Sequence, residues 1–244
     1  MANTPVTVEI DGRTYPAGDV IDALRPHLYP ERVNRMEWVL AHRLQGVALG
    51  VEDLHKSHNG QACIRTAEGL GLQDVVAVEL RNAYPLEIPE RDPTERSVDR
   101  ISRWAHRWVD LHRLDSRDAA LGWARDRGMR IVGAGPRGEQ TLESLSVDRP
   151  LLVLFGNEAE GLAPETLEAC DDTFRIPMFG FTESFNVSVS VGMVLGRLAT
   201  RYREGLAAQG RTTDLSEARR LKLLAEWVAH DVKAAGPILR RKLG

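Results

Sequence analysis

Three stretches of the chain hold residues whose types and spacing could do chemistry. In the first, the apolar run Leu151-Leu-Val-Leu-Phe155 reads as a buried strand and is followed by Gly156, Asn157, Glu158 and, after two more residues, Gly161. Ligands of open α/β sheets bind outside the carboxyl ends of the strands. Glu158 would stand at such an edge, and Gly156 would let a ligand approach the backbone closely. The spacing is not GxGxxG, and the chain has no GxxxxGK[ST], which counts against a dinucleotide-binding Rossmann site and a phosphate-binding loop. In the second stretch, Ile176-Pro-Met178 is followed by two glycine-and-aromatic turns, then Ser184, Phe185 and Asn186 at the start of a long helical pattern. Ser184 is placed to cap that helix. An exposed backbone loop feeding a helix also suits the edges of a polar ligand. The third stretch is His55-Lys-Ser-His-Asn59, with Arg65 six residues beyond Asn59. His55 and His58 have no third ligand at suitable spacing, so no metal is expected.

The elements that must position these residues are legible from periodicity. Residues 6–10 and 13–15 flank the turn pair Asp11-Gly12 and read as a small hairpin. Residues 32–44 form an amphipathic helix with Arg32, Arg35 and Arg43 between its apolar positions. Strands are predicted over 47–51, 75–78, 108–111, 129–134, 151–155 and 175–178. Helices are predicted over 62–70, 116–127, 164–170, 186–205 and 215–232. Strand and helix alternate as in a parallel sheet with crossover helices. The fold class is therefore α/β, a mostly parallel sheet flanked by helices. Residues 1–45 are an N-terminal arm and basic helix, 46–206 the α/β domain, and 207–244 a C-terminal helical extension. Residues 81–103 are charged, carry three prolines and show little periodicity; a loop of that length usually has a function or is mobile.

Composition sets the limits. The chain is 43% hydrophobic and 27% charged, ordinary for a globular protein. No apolar run approaches the roughly 18 residues of a membrane helix, and residues 1–12 lack the pattern of a signal peptide. Two cysteines, Cys63 and Cys170, are too few for a disulfide framework. No membrane association and a cytoplasmic location are the expectation. A net charge of −3 argues against a protein that coats nucleic acid without specificity. The total conceals sorting: from Glu217 to Gly244 there are seven Lys or Arg against three Asp or Glu.

The order of the three clusters is more specific than any one of them. Asn59-x5-Arg65, Phe155-Gly-Asn-Glu-x-x-Gly161 and Ile176-Pro-Met-x8-Asn186 together resemble the three motifs of the TrmH (SpoU) family of SPOUT methyltransferases. His55-Lys-Ser-His-Asn59, Ile64-Arg-Thr-Ala67 and Ser184-Phe-Asn-Val-Ser188 look like the tRNA guanosine 2′-O-methyltransferases of that family. The resemblance implies a deep trefoil knot in the C-terminal half of the domain, an exception to the rule against threaded chains. It implies S-adenosylmethionine as cofactor, held mainly by backbone groups at Gly133, Ala134, Gly156, Ile176, Met178, Phe185 and Asn186. It also implies a homodimer in which Arg65 meets the methyl donor bound by the partner subunit. The family usually has Leu at the Phe185 position and Thr in the loop occupied here by Gly133-Ala134-Gly135.

By the same resemblance Asn59, Arg65, Glu158, Ser184 and Asn186 are the catalytic set. Arg65 activates the ribose 2′-hydroxyl, Asn59 holds Arg65, and Glu158 and Ser184 orient the substrate or Asn186. A guanidinium hardly loses its proton below about pH 12, so Arg65 is better read as a bidentate clamp on the adjacent phosphate. The RNA-contacting cations would be Arg32, Arg35, Arg43, His55, Lys56, Arg103, Arg107, Arg219, Arg220 and Lys222, with Trp104 available for stacking. The substrate implied is tRNA, at guanosine-18 of the D-loop. The alternatives are another tRNA or rRNA nucleotide, or a knotted RNA-binding protein without catalysis.

Overall fold

A computed structural model describes residues 5–84 and 105–244. Most of the predicted loop 81–103, with Arg100, Arg103 and the neighbouring Trp104, lies outside the described residues. In chain order the elements are β1 (Thr7–Ile10), β2 (Arg13–Pro16), α1 (Ala17–Leu24), α2 (Pro30–Leu40), β3 (Val47–Glu52), α3 (Ser57–Gly69), β4 (Asp74–Val78) and β5 (Asp110–Leu114). They continue with α4 (Arg117–Arg125), β6 (Arg130–Ala134), β7 (Gln140–Thr141), β8 (Leu151–Phe155), α5 (Pro164–Glu168), β9 (Asp172–Arg175), α6 (Val187–Ala208), α7 (Glu217–Asp231) and α8 (Ala235–Leu243).

The chain divides into two compact units, Leu44–Arg211 on the one hand and residues 5–43 with Thr212–Gly244 on the other. The two extensions, which the sequence places at opposite ends, thus belong to a single unit. In it β1 and β2 form the antiparallel hairpin expected at Asp11-Gly12. Both turn residues have positive φ, 50° and 72°, as the hairpin twist requires and as the Asp-Gly pair tolerates. Helix α1 packs on α7 and α8, and α2 packs on α7, burying Val20, Leu24, Val33, Met36, Leu40, Leu223, Trp227, Val228 and Leu239. An ion pair of 2.5 Å between Arg32 and Asp231 ties α2 to the last residue of α7.

The larger unit is built on a seven-stranded sheet of order β5-β4-β3-β8-β6-β9-β7, parallel throughout. Its central strands are apolar at consecutive positions because both faces are covered. Leu49, Val51, Val75, Ala77, Val132, Val153 and Phe155 enter one core with residues of α3 and α6. The alternate residues Ala48, Val76, Val78, Ile131, Leu152 and Leu154 enter a second core with residues of α4. The period of two along each strand divides every strand between the two layers. β8 lies between β3 and β6, and β9 lies beside β6. The loops that leave β3, β8, β6 and β9 therefore emerge side by side at one edge.

Three expectations shift, each for a physical reason. The predicted strand 175–178 ends at Arg175, because Pro177 has no N–H for the ladder; Phe174, fully buried, anchors the strand instead. Helix α3 begins at Ser57 rather than at residue 62. Its first turn faces a polar site, so it lacks the apolar period that marks a helix. Helix α2 ends at Leu40, short of the predicted 44.

Leu49, central in β3 and fully buried, sets the scale of the core. Leu49→Ala is expected to cost about 2–5 kcal/mol, read as a lower midpoint in urea denaturation with an unchanged slope.

Candidate active site

The site is assembled where β8 ends. The Asn157 side-chain oxygen accepts from the backbone N–H of Ala159 and Glu160, at 2.9 and 2.8 Å, and a bridge joins Asn157 to Gly161. This tight turn folds the chain back over Gly156. A Cβ built at Gly156 would lie 1.8 Å from the Gly161 carbonyl carbon. Glycine is demanded here by the protein's own backbone, whatever a ligand also requires.

The turn carries Glu158 to the first turn of α3. The Asn59 amide donates to Glu158 Oε1, and the His55 N–H reaches Glu158 Oε2 at 3.5 Å. Asn186 Nδ2 in turn donates to Asn59 Oδ1 at 3.0 Å. The Asn186 oxygen accepts from Ser188 N at 2.8 Å and Ser188 Oγ at 2.6 Å, so Asn186, and not Ser184, is the N-cap of α6. A continuous chain of hydrogen bonds thus runs Glu158–Asn59–Asn186, through a residue that is buried to 1% exposure.

Ionisation follows from these contacts. Burial tends to raise the Glu158 carboxyl, but hydrogen bonds from Asn59 and from the backbone at residues 55 and 56 outweigh it, and the group titrates below the usual carboxylate range. One turn along α3 from Asn59, the Cys63 thiol is pushed up to about 12 by burial, aided by the Glu158 charge. Burial likewise raises the Tyr84 hydroxyl, which donates to the Gly60 carbonyl at 2.6 Å.

Of the other catalytic candidates, Arg65 sits on the exposed face of α3. Six residues separate it from Asn59, which places the two about 120° apart around the helix axis. The hydrogen bonds of Asn59 described above run to Glu158 and Asn186. Ser184 and Phe185 lie on the exposed strand-to-helix connection. The proposed cofactor residues fall on adjacent strand ends: Gly133 and Ala134 at the end of β6, Gly156 after β8, and Ile176 and Met178, half-buried, after β9.

A second set of contacts, not signalled by the sequence, braces the turn. Asp53, with φ of 51°, accepts from the N–H groups of Leu80, Arg81 and Asn82. The Arg81 guanidinium bridges Asp53 at 3.0 Å and Glu160 at 2.6 Å. Arg81, Arg117 and Glu160 line a cleft of about 330 Å³. Nothing in the spacing marks these residues, since Arg81 stands at the start of an aperiodic charged loop.

The RNA-facing candidates separate into exposed and buried groups. His55, Lys56 and Arg107 are exposed, whereas Arg103 lies outside the described residues. In the smaller unit Arg35 lies 4.5 Å over the ring of Trp38. Arg219 and Arg220 are half-buried, and Lys222 approaches Glu226 at 3.8 Å. Arg43 corrects the expectation: it is fully buried, its guanidinium 5.4 Å from the Trp227 ring centroid. Residue 43 lies beyond the end of α2, so the helical period that put it on a solvated face does not apply. Among the described residues one grouping has metal-ligand chemistry, Asp74, Asp110 and His112 within 4.8 Å; its His112 Nε2 and Asp74 Oδ1 already form a 2.7 Å hydrogen bond.

A parallel α/β sheet with neutral backbone loops on adjacent strand ends, and an ordered carboxamide–carboxylate chain beside them, presents a polar site at the carboxyl edge of the sheet, where ligands of open α/β sheets bind. Residues 46–196 match the SpoU rRNA methylase family. The chain is 32% identical over 185 residues to the tRNA (guanosine(18)-2′-O)-methyltransferase of Borreliella burgdorferi, covering 75% of this chain and 80% of that protein. It is 31% identical to a 23S rRNA (guanosine-2′-O-)-methyltransferase of Neisseria meningitidis, over 72% of this chain and 64% of that protein. The crystal structure of the A. aeolicus TrmH/SpoU tRNA modifying enzyme superposes with a TM-score of 0.70 at 28% identity, covering 83% of this chain and 98% of that one. The chain belongs to the SpoU methylase family.

Two measurements check the site. Gly156→Ala is expected to lose most of the folded protein at 37 °C, because the clash is with backbone and cannot be relieved by a rotamer change. For Glu158, whose pKa is lowered on folding, the associated stability is present above its unfolded value of about 4.3. It is lost as pH falls through the folded value. Wild type should therefore exceed Glu158→Gln in stability at pH 7, and the difference should shrink in denaturant titrations as pH falls below about 4.3 and be gone below the folded value.

Proposed function

We propose that the chain is an S-adenosylmethionine-dependent RNA ribose 2′-O-methyltransferase acting on guanosine-18 of tRNA. The observation that carries this reading is the convergence of Asn59, Glu158 and Asn186 beside the strand ends of β8, β6 and β9. The names of the relatives supply the substrate. The residues present suit the methyl donor: main-chain groups at Gly133, Ala134 and Gly156 offer hydrogen bonds at adjacent strand ends, and Ile176 and Met178 offer apolar surface to a flat heterocycle. The deep knot belongs to this reading as a property of the family.

Transfer to a ribose hydroxyl needs in-line approach, departure of the hydroxyl proton and an oriented neighbouring phosphate. S-adenosylmethionine, when bound, supplies a methyl group made electrophilic by its sulfonium. Arg65 clamps the phosphate beside the target ribose with its fixed fork of donors and stabilises the alkoxide as it forms. The hydroxyl proton passes to that phosphate. Glu158, ionised, fixes the Asn59 amide; Asn59 then fixes Asn186, whose backbone closes the donor pocket. Ser184 faces the substrate from the same connection.

A homodimer completes the site. Arg65 is exposed and turned about 120° from Asn59 on α3, which suits a role towards the partner's donor. Phe185, Val189 and Met193 are 40, 48 and 40% exposed, and the last two lie one turn apart on α6. They form an apolar stripe that a second copy would cover. Among the described residues no helix is long and apolar enough to cross a membrane.

Incubation with S-adenosylmethionine and an unmodified tRNA transcript, followed by nuclease digestion and mass spectrometry, should yield 2′-O-methylguanosine at position 18. Methylation of 23S rRNA alone would select the ribosomal alternative, and binding of the methyl donor with no transfer to either RNA would select the non-catalytic one. In the same assay Arg65→Lys should lower kcat by about a hundredfold or more, the loss seen when one transition-state donor is removed. The affinity for S-adenosylmethionine should stay within about twofold of wild type. Near-full turnover by this variant with normal RNA binding rules out the clamp.

A further inference from the structure

The α2 helix of the smaller unit carries a solvent-facing stack that the catalytic reading does not use. Its buried face holds Val33, Met36 and Leu40. Trp38 lies on the other face and is 53% exposed. The Arg35 guanidinium carbon stands 4.5 Å from the indole centroid. Just beyond the end of α2, the His42 ring centroid lies 4.3 Å from that of Trp38 at an interplanar angle of 31°. A 2.7 Å hydrogen bond between His42 Nδ1 and the Trp38 carbonyl pins the imidazole. Positions 35 and 38 lie one turn apart on α2, and His42, in the turn that follows the helix, is held against Trp38, so guanidinium, indole and imidazole form one cluster on the surface.

The charges around the cluster indicate what it faces. Arg25 is ion-paired with Glu37, and Arg32 with Asp231. Arg35 forms no ion pair among the described residues. Glu31, a turn earlier on the same face, is not paired with it. A half-exposed indole beside an unneutralised guanidinium offers a flat apolar plate and a phosphate donor side by side. A nucleotide whose base is not already paired has the complementary parts, a π-face and an adjacent anion.

We propose that Arg35, Trp38 and His42 form a stacking platform for an unpaired nucleotide of the RNA substrate, with the base lying on the indole surface that the two neighbours leave exposed and Arg35 holding the adjoining phosphate. The proposal rests on the reading of the chain as a tRNA-modifying enzyme and adds a contact that reads single-stranded character, not base identity, because every base presents a π-face. Trp38 acts in substrate binding and has no part in the transfer step.

The test uses the full-length protein, an unmodified tRNA transcript, a ten-nucleotide single-stranded RNA and a blunt RNA duplex. Trp38→Ala is expected to weaken tRNA binding roughly tenfold and to raise KM by a similar factor. kcat at saturating tRNA and the affinity for S-adenosylmethionine should stay within about twofold of wild type. Trp38→Phe should recover most of the loss. Arg35→Gln should weaken binding and reduce the slope of log affinity against log salt by about one. The single strand should compete with tRNA for wild type better than the duplex does, and this advantage should shrink in Trp38→Ala. Any of four results overturns the platform: unchanged tRNA affinity in Trp38→Ala, no recovery by phenylalanine, a fall in kcat with KM unchanged, or an effect confined to self-association of the chain. Should Trp38→Ala fail to fold, oxidation of Trp38 in wild type by N-bromosuccinimide decides: protection by tRNA supports the platform, and equal oxidation with and without tRNA removes it. The two readings fail separately. Methyl transfer by a wild type whose Trp38 is irrelevant removes only the platform, whereas Trp38-dependent RNA binding without methyl transfer removes only the enzyme.

Discussion

The larger unit turns on one buried carboxamide. Asn59 receives Asn186 and gives to Glu158, and its partners lie 127 and 99 residues away along the chain. A primary amide can do this because it is donor and acceptor on one planar group. Aspartate could accept from Asn186, but it would oppose the charge of Glu158; leucine could fill the volume and do neither. Since a buried polar group without partners carries a full desolvation penalty, the three segments are held together by the cost of separating them. The turn after β8, the start of α3 and the cap of α6 are each ordinary local structures. Their mutual placement is what the amide chain specifies.

That dependence explains what could be read from the sequence and what could not. The strands were legible because a parallel sheet covered on both faces needs unbroken apolar runs, and Leu151–Phe155 and Val75–Val78 are such runs. Glu158, Asn59 and Asn186 were legible as members of ordered motifs. Their joining into one hydrogen-bonded chain was not, because the partners of Asn59 lie 99 and 127 residues away and no local spacing links them. The cap of α6 was misplaced by two residues for a related reason. Ser184 and Asn186 are both good caps by type, and only the position of Ser188 decides between them. The Asp53–Arg81–Glu160 brace was beyond reach, because it joins Arg81, at the start of a charged loop, to a left-handed residue 28 positions before it and to Glu160 79 positions after it. No period connects such positions. Gly156 was recognised for a close approach, but the approaching group is the chain's own residues 161 and 162.

Net charge is a poor guide to where a polyanion would meet the surface, and the pairing of the surface shows why. Many cations are matched by anions: Arg25 with Glu37, Arg32 with Asp231, Arg113 with Glu79, Arg130 with Asp172. The exposed pairs among them contribute little to stability, but all reduce the field an approaching polyanion meets. What an approaching RNA would meet is then the cations left unmatched and well placed, not the sum over 244 residues. The same reasoning removes Arg43, which contributes to the total while its charge is buried against Trp227.

The ionisation of Glu158 has a consequence for the thiol behind it. Cys63 lies on α3 one turn from Asn59, and a thiolate is the strongest soft nucleophile a protein commonly offers. Beside a sulfonium methyl donor a thiolate would compete with a ribose hydroxyl. Burial and the nearby carboxylate both disfavour the thiolate, and the pKa of about 12 keeps the group protonated at neutral pH. Glu158 is held ionised by the Asn59 amide and the backbone around His55. One hydrogen-bonded chain therefore does two things: it orders the polar edge of the site, and it leaves the negative charge of the carboxylate where it disfavours the Cys63 thiolate.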